Sequence, residues 1–289
     1  MANNIAKFKK YIDLLDEVYK VNAKTSILDG DTTLVRAGAN ADEIIIPKMS
    51  LDGLADYSRN SGYVNGDVTL TNETVKFNYD RGRAFTVDAM DNEETAGIAF
   101  GKLSSEFLRT KVVPEVDAFR LATYAGIEGI GSATGTLADG NAALSAIVTA
   151  VSEMDDNEVS EEGRVLFVTP TLYNQILNVD TYKSKEIMGR FSSIVTVPQS
   201  RFYTAIELAD GTTSGETAGG FTKAEDAKDI NFMIIQKDAI LQYPKHVVNK
   251  VVSPEENQTS DGWKFFYRSY GLADVYENKV AGIYLHHKA

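Results

Sequence analysis

Between Asp91 and Gly126 apolar residues return every three or four positions: Ala96, Phe100, Leu103 and Phe107, then Val116, Phe119 and Ala122 beyond Pro114. That spacing gathers them on one helical face and leaves Lys102, Glu106 and Arg109 on the other. It predicts a single long helix, opened by an Asp91–Glu94 capping box, kinked at Pro114 and ended at Gly126. At about 1.5 Å per residue the helix runs to roughly 50 Å, more than a compact domain needs, so it reads as a strut. Upstream, Ile5, Phe8, Ile12, Leu15 and Tyr19 form a narrow apolar seam. This predicts a short amphipathic helix docked on its own core, with partner binding the less favoured use. Thr25 to Asp42 is rich in Gly, Asp, Thr and Asn and reads as an extended arm, followed by a short strand, Glu43-Ile44-Ile45-Ile46-Pro47, that Pro47 ends.

From Gly62 to Asp88 the period falls to two, with Val68 and Leu70, then Val75, Phe77 and Tyr79, then Phe85 and Val87. These are strands, and Asp80-Arg81-Gly82-Arg83 reads as the hairpin turn between the last two runs. One face of the hairpin is apolar and needs cover from the long helix or from a neighbouring molecule. The small residues from Glu128 to Gly135 read as a linker. A helix–strand–helix unit follows: Asn141–Met154, Val165–Val168, then a helix capped by Thr169-Pro170 and carrying Leu172, Ile176 and Leu177. Further strands are predicted at Ile194–Val197, Phe202–Leu208 and Ile230–Ile235, with Ala209–Gly220 as an exposed, mobile loop. Val247–Val252, Trp263–Tyr267 and Ala281–Leu285 return the chain to strands, so the α/β unit is inserted between β segments.

Composition narrows the classes. With 43% hydrophobic residues in 289, the chain can bury a sizeable core. It has no cysteine, which excludes disulfides, a thiolate nucleophile and cysteine-bound metal. No apolar run is long enough to span a bilayer and no signal-peptide pattern opens the sequence, so a cytoplasmic life and no membrane partner are expected. A formal net charge of -12 disfavours wrapping nucleic acid. The catalytic inventory is equally spare. His246, His286 and His287 lack ligand spacing, and the carboxylates at Asp88–Glu94 and Glu153–Glu162 lack the alternation of a calcium loop. There is no phosphate loop, serine elbow or HExxH, so no enzyme activity, cofactor or metal is expected.

The order of these elements resembles the major capsid protein of tailed bacteriophages. The resemblance rests on Tyr79-Asp80-Arg81-Gly82-Arg83, followed at once by Asp88-Ala89-Met90-Asp91-Asn92-Glu93-Glu94-Thr95 and the long helix. It continues in Asp229–Ile235 with Lys245-His246, and in Tyr267-Arg268-Ser269-Tyr270 with Tyr276-Glu277-Asn278-Lys279. It implies an α+β chain of the Hong Kong 97-like capsid fold. The expected parts are an N-terminal helix and arm (1–45), a peripheral-domain lead-in strand (46–61) and an extended β-hairpin loop (62–90). A spine helix and linker (91–135), an inserted α/β axial domain (136–245) and return strands of the peripheral domain (246–289) follow. The implied function is structural, with copies meeting as hexamers and pentamers in an icosahedral head shell around double-stranded DNA, without sequence-specific binding. An encapsulin-like nanocompartment holding a cargo enzyme is the alternative. Candidate subunit-interface residues are Val75, Phe77, Tyr79, Arg81, Arg83, Glu207 and Asp210, with Pro114 as a spine kink. A separate scaffolding protein and a portal are possible partners. Lys76 with Asn249 or Asn257 could be nominated for a covalent cross-link, but they read as ordinary surface residues and no linkage is expected.

Overall fold

A computed structural model describes residues 19, 22–30, 36–37, 43–90, 98–179 and 181–289. The apolar seam before Tyr19 and the Asp91–Glu94 capping box lie outside the described residues.

Thirteen strands are described, in four sheets. Strands β1 (Arg36–Ala37), β2 (Glu43–Leu51) and β3 (Val68–Lys76) form the first, with β2 and β3 antiparallel from Glu43↔Lys76 to Leu51↔Val68. The long hairpin is therefore β2–β3, with its tip at residues 52–67. Pro47 does not end its strand. It lies inside β2, opposite Asn72 of β3.

Strand β4 (Tyr79–Asp88) does not fold back on β3. It pairs antiparallel with β12 (Gly262–Val275), which also pairs with β11 (Ile240–Val252), giving the order β11-β12-β4. The predicted turn at Asp80–Arg83 is thus continuous strand, with Gly82 opposite Arg268. A Cβ on Gly82 would sit 2.8 Å from the Tyr267 carbonyl oxygen, so the glycine serves close strand approach and no turn.

The third sheet has the order β5-β13-β10-β6-β7, from β5 (Gly131–Thr134), β6 (Arg164–Val168), β7 (Ser193–Thr196), β10 (Ile230–Gln236) and β13 (Ile283–His287). The predicted linker contains β5, and the last strand runs parallel to it, between β5 and β10. The two-stranded fourth sheet pairs β8 (Ile206–Leu208) with β9 (Phe221–Lys223), and of the 202–205 part of the expected strand only Tyr203 pairs, in an isolated bridge with Asp229.

The long helix is present as α1 (Ile98–Phe107), a π-helical segment Leu108–Val112 and α2 (Val113–Ala125), and it ends at Gly126. Gly126 keeps a right-handed conformation, so the helix stops without the left-handed glycine cap. One face of the five-stranded sheet packs Val165, Phe167, Met233 and Leu285 against Leu121 and Tyr124 of α2. The other packs Leu166, Phe232 and Ile234 against Ile147, Val151 and Met154 of α3 (Gly140–Asp156) and Leu172 and Ile176 of α4 (Pro170–Leu177). Asp139 caps α3 through the Ala142 amide, whereas Thr169 at the start of α4 makes no side-chain cap. The unforeseen α5 (Tyr182–Gly189) begins with a capping box between Thr181 and Ser184. Nearer its start, the long helix packs Leu108, Val112 and Val116 on Tyr79, Phe265 and Tyr267. A single rod thereby joins two sheets.

Candidate assembly interface

Among the described residues, the hairpin is held at its root. Ile44 and Val75 are buried with Leu241, Tyr243 and Leu272, because the alternation of β2 and β3 turns them toward β11 and β12. Lys48 Nζ donates to Glu277 Oε2 at 2.7 Å across the same junction. Burial raises the Glu73 carboxyl above its usual range, and the charge of Glu277 adds to this. Beyond the root the cover ends. Met49, Leu51, Leu54, Tyr57, Tyr63, Val64, Val68 and Leu70 are all exposed, Leu54 completely. Tyr57 and Tyr63 touch each other with ring centroids 4.9 Å apart. At about 2 kcal/mol for each side chain fully buried, covering eight such residues is worth on the order of 15 kcal/mol before the costs of association.

A second feature lies where β4 passes the long helix and the 209–220 loop. Arg81 Nε donates to Glu115 Oε1 at 2.8 Å, and the Tyr79 hydroxyl donates to the same oxygen at 3.2 Å. Burial, followed by the charge of Glu115, pushes the Tyr79 hydroxyl well above the usual tyrosine range. Arg81 Nη2 and Arg83 Nη2 donate to the carbonyls of Gly220 and Thr217 at 3.3 and 3.0 Å. The loop is therefore clipped to the strand. Within it, Asp210 accepts from the Thr213 hydroxyl at 2.7 Å and from the Thr213 and Thr212 amides, which hold its carboxyl well below the usual range. Gly211 has φ 78, a left-handed conformation that favours glycine, and its Cβ position lies 2.8 Å from the flexible end of Arg83. Together these residues line a groove of about 830 Å³, with Phe85, Leu103, Phe107 and Pro114 along it.

Of the residues nominated from sequence, the structure brings Tyr79, Arg81, Arg83, Asp210 and Pro114 to this groove. Val75 is buried in its own chain, and Phe77 packs on Tyr270 at 5.0 Å with Lys245 Nζ 4.4 Å above its ring. Glu207 is exposed on β8, outside the groove lining. The residues sequence reasoning missed are the tip side chains. Their only signal is apolar bulk, Leu54, Tyr57 and Tyr63, set among Gly, Asp and Asn where a loop is normally polar. Among the described residues no cluster of three His, Asp or Glu side chains could hold a metal, and no helix is long and apolar enough to cross a membrane.

No family model matches, and no curated protein matches. Solved structures do. The mature capsid of bacteriophage PhiM1 superposes with a TM-score of 0.59 at 11% identity, covering 88% of this chain and 84% of that one. The capsid of cyanophage P-SCSP1u gives 0.56 at 12%, over 88% and 85%. A virus-like particle from Pyrococcus furiosus gives 0.56 at 11%, over 97% and 99%. The chain has the Hong Kong 97-like capsid fold.

Proposed function

We propose that this chain is a major capsid protein whose copies close into the icosahedral head shell of a tailed phage around double-stranded DNA. The observation that carries the reading is the β2–β3 hairpin, anchored at its root and bare of cover at its apolar tip. A lone subunit gains nothing from such a surface, whereas a neighbour can cover it. The fold it shares with phage capsid structures supports the same reading. Many moderate contacts suffice, because closure multiplies them.

In this reading 1–45 is the arm, 62–90 contributes the hairpin's second strand and its passage to the spine, and the axial layer is 136–245. The hairpin's paired strands run back to Glu43, opposite Lys76, and the last strand pairs with β10 in the five-stranded sheet. Glu207 and Asp210, on the exposed side of the axial layer, and the Arg81–Arg83 clip are the polar contacts with neighbours, and Pro114 is the bend of the spine. Copies meet as hexamers and pentamers, assembled in the host cytoplasm with a separate scaffolding protein and a portal as partners. The chain catalyses nothing.

Electron microscopy of purified material is the test. Closed shells, or rings of five and six, are expected, and a fixed small oligomer under all conditions would overturn the proposal. The end-to-end match to the Pyrococcus furiosus particle favours a second reading, a shell that packages an enzyme. Co-purification of one defined protein cargo in small shells would select it.

A further inference from the structure

Near its start the described chain follows the long helix and β11 together. Gly30 donates its amide to the Gln242 carbonyl of β11 at 3.1 Å, and Gln242 Nε2 donates to Asp29 Oδ1 and to the Thr25 carbonyl. The Thr25 amide donates to Asp117 of α2 at 3.0 Å. Closer to the N-terminus, Tyr19 packs on Leu108, Val112, Val116, Phe265 and Tyr267. Phe265 and Tyr267 stand opposite Val251 and Asn249. Followed back from Gly30, the backbone therefore passes from the level of Gln242 to that of Asn249 and Val251. Beyond that level the same side of the sheet holds polar atoms without partners. Residues directly opposite in an antiparallel pair share a face, so Asn249 points the way Tyr267 does, toward the long helix. Its Oδ1 is buried, as is Oγ of Ser253 just past the end of β11, and neither has a hydrogen-bond partner among the described residues. Ser253 is only 4% exposed, so bulk water does not serve it. Between the two, Val251 is half-buried, and so is Trp263, which the alternation of β12 puts on the face of Phe265.

We infer that this strip, Asn249 to Ser253 with Trp263 beside it, is the docking site of the chain's own segment Ile5–Leu15, which lies outside the described residues. The apolar positions Ile5, Phe8, Ile12 and Leu15 are in helical phase with Tyr19, so a helix that seats Tyr19 on the cluster turns the other four to the same side. The lengths agree. From Tyr19 back to Phe8 a helix advances about 16 Å, and β11 from Asn249 to Ser253 advances about 13 Å. Asn4 and Tyr11 flank the seam and carry the donors that Asn249 Oδ1 and Ser253 Oγ lack. The segment of the same chain has the advantage over that of a second copy, because Tyr19 already stands at one end of the strip and tethers it there at high effective concentration. A seam buried in this way belongs to the subunit's own core and is closed to a scaffolding protein. The inference concerns a single chain and holds whether or not copies close into a shell.

The chain has no cysteine, so an introduced pair can be followed without background. Full-length L15C/V251C protein is treated with a short flexible bismaleimide and run on a denaturing gel. Closure within one chain, seen as a faster-migrating monomer, is expected. L15C/K250C, whose second position is exposed on the opposite face of β11, is expected to close far less. Equal closure in both pairs, or closure in neither, would overturn the site. Dimers formed on mixing L15C protein with V251C protein would assign the strip to a second copy and overturn it as well. Trp263, the sole tryptophan, supplies a second readout that needs no cross-link. In full-length F8S/I12S protein, kept at a temperature where circular dichroism reports it folded, Trp263 emission should move to the red and acrylamide should quench it more strongly. K10E, on the far side of the seam, should leave both unchanged. Trp263 emission and quenching in F8S/I12S equal to those of the natural protein refute the inference, and micrographs of the same samples report on the shell proposal separately.

Discussion

Asp117 is wholly buried, yet four donors from three residues end on its two oxygens. The amides of Lys24 and Thr25 donate at 3.0 Å, the Thr25 hydroxyl at 2.8 Å and Arg201 Nη1 at 3.0 Å. Arg120 Nη1 donates to the Thr25 hydroxyl, and Gln242 donates to the Thr25 carbonyl while accepting from Tyr124. This cluster ties the 23–30 segment to the spine and to β11, and removing its carboxylate strands Arg201 and two amides. Asp117→Ala is therefore expected to cost about 3 kcal/mol, read as a fall in thermal midpoint of roughly 6 °C or more. His286 shows a pH dependence. Burial, and then the charge of His287, lowers its pKa, and the Asn231 amide lies 3.0 Å from Nδ1, where it donates only to an unprotonated nitrogen. The unfolded ring titrates near 6.5, so the unfolded chain takes up the proton first as pH falls. The contribution of His286 is complete above about pH 6.5 and is lost below it. Between pH 7.5 and 5.5 the thermal midpoint should fall more in the natural protein than in His286→Gln. Neither residue was legible in the sequence, where Asp117 looks like one more polar position on a helix and its partners stand more than eighty residues away.

At the scale of elements, the long helix was legible because its apolar stripe persists on both sides of Pro114. The π turn at Leu108–Val112 was not, since winding is set by how the helix accommodates a proline that cannot donate to the preceding turn. Pro114→Ala restores that donor. It is expected to leave the subunit's thermal midpoint nearly unchanged and to alter the expansion of precursor shells, followed by their diameter in solution scattering; normal expansion would make Pro114 a passive feature. Strand β4 teaches the converse lesson. A glycine among charged residues is ordinary turn chemistry, but here Asp80 is matched by Arg268 and Arg81 by Glu115, partners that local pattern does not display. Gly82→Val should force β4 from β12 and destabilise the subunit by about 2 kcal/mol, measured by denaturant unfolding, whereas a turn glycine on the surface would cost much less.

For the whole molecule, element order was enough to reach the fold, since a capped α/β unit between β segments and a long rod has few arrangements. Strand partners were not, because periodicity reports which face is buried and not what covers it. The exposed tip yields the decisive variant. Changing Leu54, Tyr57 and Tyr63 together to Ser removes no contact beyond the hairpin tip, so the subunit should melt as before while shells fail to form in sedimentation. The position of β13 carries a consequence for synthesis. Residues 283–287 fill the gap between β5 and β10, so on the ribosome both edges stand open until every other strand of that sheet has emerged. A nascent chain therefore cannot complete its central sheet early. A chain halted at Gly282 should be captured by chaperones, since neither open edge has its partner.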